Sequence, residues 1–201
     1  MKPQHILVIK QETLVISKEP AHVKSYCPEI SDGSKIMLVQ REMAETDPTY
    51  RQIIPYVMAR DEENNILAYR RLKGVGESRL AGKISIGVGG HIDGPDLCYH
   101  ESGRIDVEKT IESAAVREIE EEFDLPIQNA HLNTIGYLFD NSDLVGQVHM
   151  GVLMIMDVEG VVPPVESREA DLQVMGWINK IESPEDFENW SLAAGKSMGI
   201  V

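Results

Sequence analysis

Residues 114–126, AAVREIEEEFDLP, place Glu118, Glu120, Glu121 and Glu122 within five positions of a segment whose apolar spacing is helical. Like charges three or four residues apart on a helix repel, each pair costing a few tenths of a kcal/mol. A helix loaded this way needs open water around its acidic face or a cation to gather it. At about 100° per residue, Glu118, Glu121 and Glu122 share one arc and Glu120 points away. Ala115, Val116, Ile119 and Phe123 form the adjoining apolar stripe, so the acidic arc borders the core. Ala114 beside it is small enough to let a ligand come near. Carboxylates converging at the edge of buried surface do not all stay ionised without compensation. The arc is therefore either a solvated face partnered by Arg117 and Lys109, or a site for a hard divalent ion. Mg2+ and similar ions favour oxygen ligands and share them with substrate phosphates.

Thr110 is the expected cap of this helix, which should run over residues 111–123 and stop at Pro126. Before it, GKISIGVGGHI alternates and ends in paired glycines, as a strand does when something must approach its backbone closely. The polar stretch DGPDLCYHESGRIDV between them reads as a long loop. HILVIKQETLVI suggests an early strand, and KIMLVQREM, after a turn at SDGS, another strand or a short helix. IIPYVMAR and ILAYRRL flank the turn residues DEENN as a β-hairpin. HLNTIGYLFD, QVHMGVLMIMDV and QVMGWI supply further strands, with turns at NSD and GVVPP. SPEDFENWSL opens with a Ser cap and a Pro at the first helical position, so a closing helix is expected there. Strands with interspersed helices predict an α/β fold in which helices pack on a mixed sheet.

A chain of 201 residues with 42% hydrophobic content supports one domain with a small appendage. Its formal net charge of −14 argues against nucleic acid as the main ligand. That charge suits a well-solvated surface, metal sites, or small phosphorylated ligands bridged by metal. No apolar run reaches membrane-spanning length, and MKPQHILVIKQE lacks a signal-peptide pattern. Cys27 and Cys98 do not make a disulfide framework, so a cytoplasmic setting is the expectation.

GRIDVEKTIESAAVREIEEEFDL, residues 103–125, resembles the signature of the Nudix hydrolase family. That signature runs Gly, five residues, Glu, seven residues, then Arg-Glu-aliphatic-any-Glu-Glu-any-Gly-aliphatic. Gly103, Arg117, Glu118, Ile119, Glu121, Glu122 and Leu125 fall in register. The likeness extends more weakly over residues 52–180, through GVGGHI and through VESREADLQVMGWI. The insert between GVGGHI and the helix is like that of a MutT-like, phosphoesterase-type branch. Two positions depart from the pattern. Lys109 stands where the first glutamate belongs, and Asp124 replaces the glycine after the helix. Asp tolerates the left-handed cap conformation that favours glycine there. The missing glutamate often supports the metal site or orients the signature arginine. Glu108, Asp93, Asp96, Glu101 and Asp106 are the possible stand-ins.

The resemblance implies a Nudix-type α/β/α sandwich over residues 51–201, with residues 1–50 as an extension packed on it. It implies cleavage of a nucleoside diphosphate linked to another group, or a related organic pyrophosphate, with Mg2+ or Mn2+. Glu118, Glu121 and Glu122 become the metal ligands, and Arg117 orients them. Gly89 and Gly90 let the strand backbone approach the metal, Gly90 through its carbonyl. The general base is Glu121, Glu166 or Glu169. By analogy a homodimer is expected. A non-catalytic nucleotide sensor, motivated by Lys109 and Asp124, is the alternative from another class. An isopentenyl-diphosphate-isomerase-like enzyme is a lesser one, to which His91 and Cys98 bear.

Three other groups were candidates. His91, Asp93, Cys98 and His100 match no familiar zinc spacing. Arg60, Arg70 and Arg71 on the hairpin are placed either to bind phosphate or as ordinary exposed strand charges. Tyr56, Tyr69, Tyr137 and Phe139 are spaced for core packing or for stacking on a base, and Trp177 and Trp190 read as packing residues.

Overall fold

The strand over YRQIIPYVMAR has all nine of its inner residues, Arg51 to Ala59, buried. A strand buried on both faces belongs at the centre of a sheet with cover on each side. In the computed structural model, which describes residues 4–17, 19, 21–31, 33–72, 80–125, 127, 131–160 and 165–201, it holds that place. The elements in chain order are β1 (His5–Lys10), β2 (Ala21–Lys24), α1 (Pro28–Ser31), β3 (Ile36–Gln40), α2 (Arg41–Ala44), β4 (Tyr50–Arg60), β5 (Ile66–Arg71), β6 (Ile84–Ser85), β7 (Val88–Gly89), α3 (Val107–Glu122), β8 (His131–Asp140), β9 (His149–Asp157), β10 (Leu172–Ile178) and α4 (Asn189–Met198). The main sheet runs β10-β5-β4-β9-β8-β2. β4 and β9 pair in parallel from Gln52↔His149 to Arg60↔Asp157, and the remaining pairings are antiparallel. The sheet is mixed, as expected.

Alternate residues of β4 serve two layers. Ile53, Val57 and Ala59 pack with Ile111, Ala115, Ile119 and Phe123 of the α3 region. Tyr56 and Met58 pack on the other side with Phe187 and Ala194, joined by Trp190. The result is the expected α/β/α sandwich. The edge of β4 opposite β9 is shared, with β1 on residues 50–52 and β7 on Tyr56 and Val57. Pro55, which has no N–H to give a ladder, falls in the gap between them. β1 also holds the segment after β7, since Leu7 N–H donates to Ile92 O at 2.9 Å and Ile6 bridges Asp93. Leu7, Ile9, Cys27, Ile30 and Ile36 join the same core as α3.

Several local expectations need correction. α3 starts at Val107, a turn earlier than Thr110 suggested, because Asp106 takes the cap and accepts from Lys109 N–H at 3.2 Å. Thr110 is buried inside the helix, and its Oγ1 accepts from Cys98 N–H at 3.0 Å. Asp124 does not take the left-handed conformation, since among the described non-glycine residues only Asn64 has positive φ. The end of α3 is instead tied strand-fashion: Arg168 N–H donates to Glu122 O at 2.9 Å and Asp124 N–H to Glu166 O at 3.0 Å. Ser183 and Pro184 begin a short 3-10 turn, and the closing helix starts at Asn189. The β4–β5 hairpin is paired at Arg60↔Ile66, and below it β6 and β7 line the facing edges. KIMLVQREM holds both alternatives in succession, β3 and then α2. Pro126, Asp32 of the SDGS turn and residues 161–164 of GVVPP lie outside the described residues.

Phe123 fixes the carboxylate end of α3 to the sheet. Its buried ring meets Tyr69 of β5 edge to face, with centroids 5.1 Å apart. Truncating a buried Phe to Ala removes packing worth about 3–5 kcal/mol. Phe123→Ala is expected to lower stability by that order in urea denaturation, and a loss below about 1 kcal/mol would contradict this anchoring role.

Candidate active site

The acidic arc of α3 does not rest on water alone. Arg117 Nη1 donates to Glu118 Oε1 at 2.7 Å and to Glu121 Oε2 at 3.3 Å. The other side of the guanidinium grips Asp96, with Nε to Oδ1 at 2.8 Å and Nη2 to Oδ2 at 2.9 Å. Nη2 also donates to His91 O at 2.9 Å. One side chain thus ties two arc carboxylates, the loop before the helix, and the end of the glycine-paired strand. Planar two-pronged pairing is what arginine does best with a carboxylate.

Asp96 is the acid of the insert that meets Arg117. It is 3% exposed, and its Oδ2 accepts from Asp93 N–H at 3.0 Å within a reciprocal capping box around the Gly94–Asp96 turn. Burial alone would raise its pKa, but the Arg117 pair and the Asp93 amide outweigh that and hold it below the ordinary range. Arg117 is correspondingly held above its ordinary value, first by Asp96 and then by Glu118. Lys109 stands 70% exposed, and its ammonium lies 3.7 Å from Asp106. Of the acidic residues offered by the insert, Asp96 alone among those described pairs with Arg117.

The three arc carboxylates differ in setting. Glu121 is 55% exposed. Burial raises the pKa of Glu118, with Arg117 opposing and Glu121 and Asp96 adding to the rise. Burial pushes Glu122 up to about 7, against the charge of Arg71 and with help from Glu118, Glu169 and Asp171. Its Oε2 is buried with no hydrogen-bond partner among the described residues. Such an oxygen costs free energy until a cation or donor reaches it. The donor set is all oxygen, which suits Mg2+ or Mn2+. Among the described residues no three His, Cys, Asp or Glu side chains already enclose an ion-sized space. Glu118 and Glu121 instead share the Arg117 guanidinium.

Both strand-end glycines are required by close approach. A Cβ on Gly90 would overlap the Glu118 carboxylate, and one on Gly89 would meet Pro55 O at 2.8 Å. Gly89, Gly90 and His91 border a cleft of about 350 Å3 that continues past Arg71 to Glu188 and Trp190. Glu188 Oε1 accepts from the Tyr56 hydroxyl at 2.9 Å, so Tyr56 is a wall residue whose oxygen is engaged. Trp190, expected only to pack, lines the same wall.

Glu169 lies exposed in the loop clasped to the end of α3, and it acts on Glu122 through its charge. Glu166 is exposed too, its carbonyl accepting from Asp124 N–H. The hairpin arginines part company. Arg60 pairs with Asp157 at 2.6 Å and Arg70 donates to Gly82 O at 2.8 Å, whereas Arg71 enters the cleft. The zinc candidates disperse: His91 Nε2 is 2.8 Å from Gln52 Oε1, His100 is 3.4 Å from Asp106, and Cys98 Sγ faces the carbonyls of Asp96 and Lys109. Glu188 had no sequence signal, since it stands where the closing helix was expected to be under way.

No protein-family model matches the chain. It is 31% identical over 195 residues to protein YmaB of Bacillus subtilis (strain 168), across 92% of this chain and 89% of that protein. Among solved structures it is similar to Tm1382, described as a candidate Nudix hydrolase, with TM-score 0.69 and 22% identity over 96% of this chain and 97% of that one.

Removing one partner of a buried ion pair costs about 3–5 kcal/mol, whereas an exposed substitution stays within about 0.5 kcal/mol. Asp96→Asn is therefore expected to be strongly destabilising in urea denaturation and Lys109→Ala nearly neutral; equal effects would contradict the assignment. A second expectation concerns Glu122. Its pKa is about 7 in the folded protein and near 4.5 in the unfolded chain, so the stability it contributes is complete below the lower value and is lost as pH rises through the upper one. In chelator, wild type should lose stability relative to Glu122→Gln between about pH 5 and pH 8, by up to a few kcal/mol. A difference independent of pH would contradict it.

Proposed function

The chain belongs to the family of Bacillus subtilis protein YmaB and has the Nudix hydrolase fold, and on that footing we propose that it is a metal-dependent hydrolase of a pyrophosphate linkage. The substrate in this reading is a nucleoside diphosphate joined to another group, or a related organic pyrophosphate. One observation carries it: an all-oxygen arc, organised by Arg117 and Asp96, that abuts a cleft through a glycine backbone.

Glu118, Glu121 and Glu122 would hold Mg2+ or Mn2+, their oxygens including one left buried without a partner. A divalent ion there would supply charge to offset the diphosphate oxygens and to acidify an attacking water. Arg117 acts as a positioning residue, fixing Glu118 and Glu121 through a guanidinium that Asp96 anchors. Gly89 and Gly90 keep the cleft floor open toward Glu118. Glu121 is the most water-exposed of the arc and is assigned the general base, with Glu169 the second candidate. Glu122, whose burial favours its protonated form, is ill suited to holding charge without a cation. Residues 1–50 serve in this reading as an extension of a catalytic domain spanning residues 51–201.

Asp96 also weighs between catalysis and sensing. The sensor alternative drew on the missing signature glutamate, and Asp96 provides a partner for Arg117 in its place.

Phosphate-linked turnover with Mg2+ or Mn2+ should be assayed across nucleotide sugars, dinucleoside polyphosphates and nucleoside triphosphates. Turnover is expected for at least one class, and Glu121→Gln should reduce it by roughly 10²–10⁴-fold, the usual worth of a general base. Undiminished activity in that variant would sink the assignment of Glu121. Saturable binding with no turnover under either metal would make the protein a sensor.

A further inference from the structure

Arg71 ends β5, and its N–H donates to Lys83 O at 3.0 Å, one step beyond the Arg70↔Ile84 pair of the β5–β6 ladder. Arg71 and Lys83 therefore occupy facing positions on one side of that ladder. Like charges directly opposite in an antiparallel pair are destabilising. Both line the cleft that Gly89 and Gly90 border.

Among the described residues neither cation meets a carboxylate. Arg71 Nη2 donates to the Tyr69 hydroxyl at 3.0 Å, a neutral acceptor whose own proton goes to Gly87 O at 2.8 Å. Among the described residues Arg71 Nε is buried with no acceptor, and no carboxylate lies within ion-pair distance of the guanidinium. A guanidinium carries five N–H donors in a fixed fork, so the described residues leave most of its capacity open. Lys83 Nζ donates to Glu185 O at 2.5 Å, one bond among the described residues for three donors. Glu122 and Glu188 act on Arg71 from a distance, steadying its charge without occupying its donors. A half-buried arginine with a buried Nε, facing a second cation across a cleft wall, has no anion paired with it among the described residues.

We propose that Arg71, with Lys83 beside it, is an anion subsite that takes the phosphoryl group of a diphosphate substrate lying away from the α3 carboxylates. This rests on the hydrolase reading for the position of the other phosphoryl group. One end of the diphosphate meets the arc where Glu118 lies against Gly90. The glycine backbone leaves the way clear along the cleft, and the other end reaches the guanidinium fork. The subsite selects compounds with at least two linked phosphoryl groups over phosphomonoesters. It also explains why Arg71 parts from Arg60 and Arg70, neither of which is among the cleft-lining residues.

Calorimetry with methylenediphosphonate, which is not hydrolysed, tests this in the presence of Mg2+. A charged hydrogen-bond pair lost from a cleft is expected to weaken its binding about tenfold or more in Arg71→Gln. Arg71→Lys should recover part of the loss, and Lys83→Gln should weaken binding by a smaller factor. Mg2+ binding measured without the anion should stay within about twofold in all three variants. Unchanged methylenediphosphonate affinity in both Arg71→Gln and Lys83→Gln would overturn the subsite. So would a loss matched by equal loss of Mg2+ affinity, because Arg71 would then act only through Glu122. Arg71-dependent binding in a protein that turns over no pyrophosphate would count against hydrolysis and leave the subsite standing.

Discussion

The pairing of Arg117 with Asp96 is the interaction on which the acidic arc depends. Asp96 is almost wholly buried, and a buried carboxylate is tolerated only when its charge is met and its lone pairs are occupied. Arg117 meets both oxygens, and the Asp93 amide takes a further lone pair. The rest of the guanidinium is then committed by geometry. Its planar fork turns one nitrogen to Glu118 and Glu121 and another to the His91 carbonyl. Carboxylates that would repel one another are held in place by a cation whose own position is set by the core.

The fold supplies that constraint from several directions. β1 pairs with β4 and also grips Ile92 and Asp93, which positions both the His91 carbonyl and the capping box that carries Asp96. β7 pairs with β4 so that Gly89 and Gly90 come against Pro55 and Glu118 with no room for a side chain. Phe123 against Tyr69 fixes the far end of the helix, and the loop around Glu169 clasps it there. The arc and the cleft therefore belong to the same packed core and not to a flap laid over it.

The acidic arc and the glycine pair were legible in the sequence because each reflects local geometry, helical spacing in one case and close backbone approach in the other. The central strand and the mixed sheet were legible for similar reasons. What escaped was settled by contacts between distant residues. Asp96 was one of several acids in an insert, and only the fold shows which of them is buried against Arg117. Thr110 and Asp106 are both good helix caps, and burial of Thr110 beneath Cys98 decided for Asp106. Asp124 was expected in a left-handed cap, but the loop at residues 166–168 satisfies the helix end and removes the need. Arg60, Arg70 and Arg71 look alike in sequence, and only their acceptors tell them apart.

Paramagnetic broadening by Mn2+ offers the most direct view of whether this arrangement exists to hold a divalent ion. In 15N-labelled protein titrated with substoichiometric Mn2+, amide signals of Gly89 to His91 and of Glu118 to Glu122 should vanish first. Excess Mg2+ should restore them by competition. Broadening centred elsewhere, or spread evenly over the acidic surface, would contradict the proposed role of the arc.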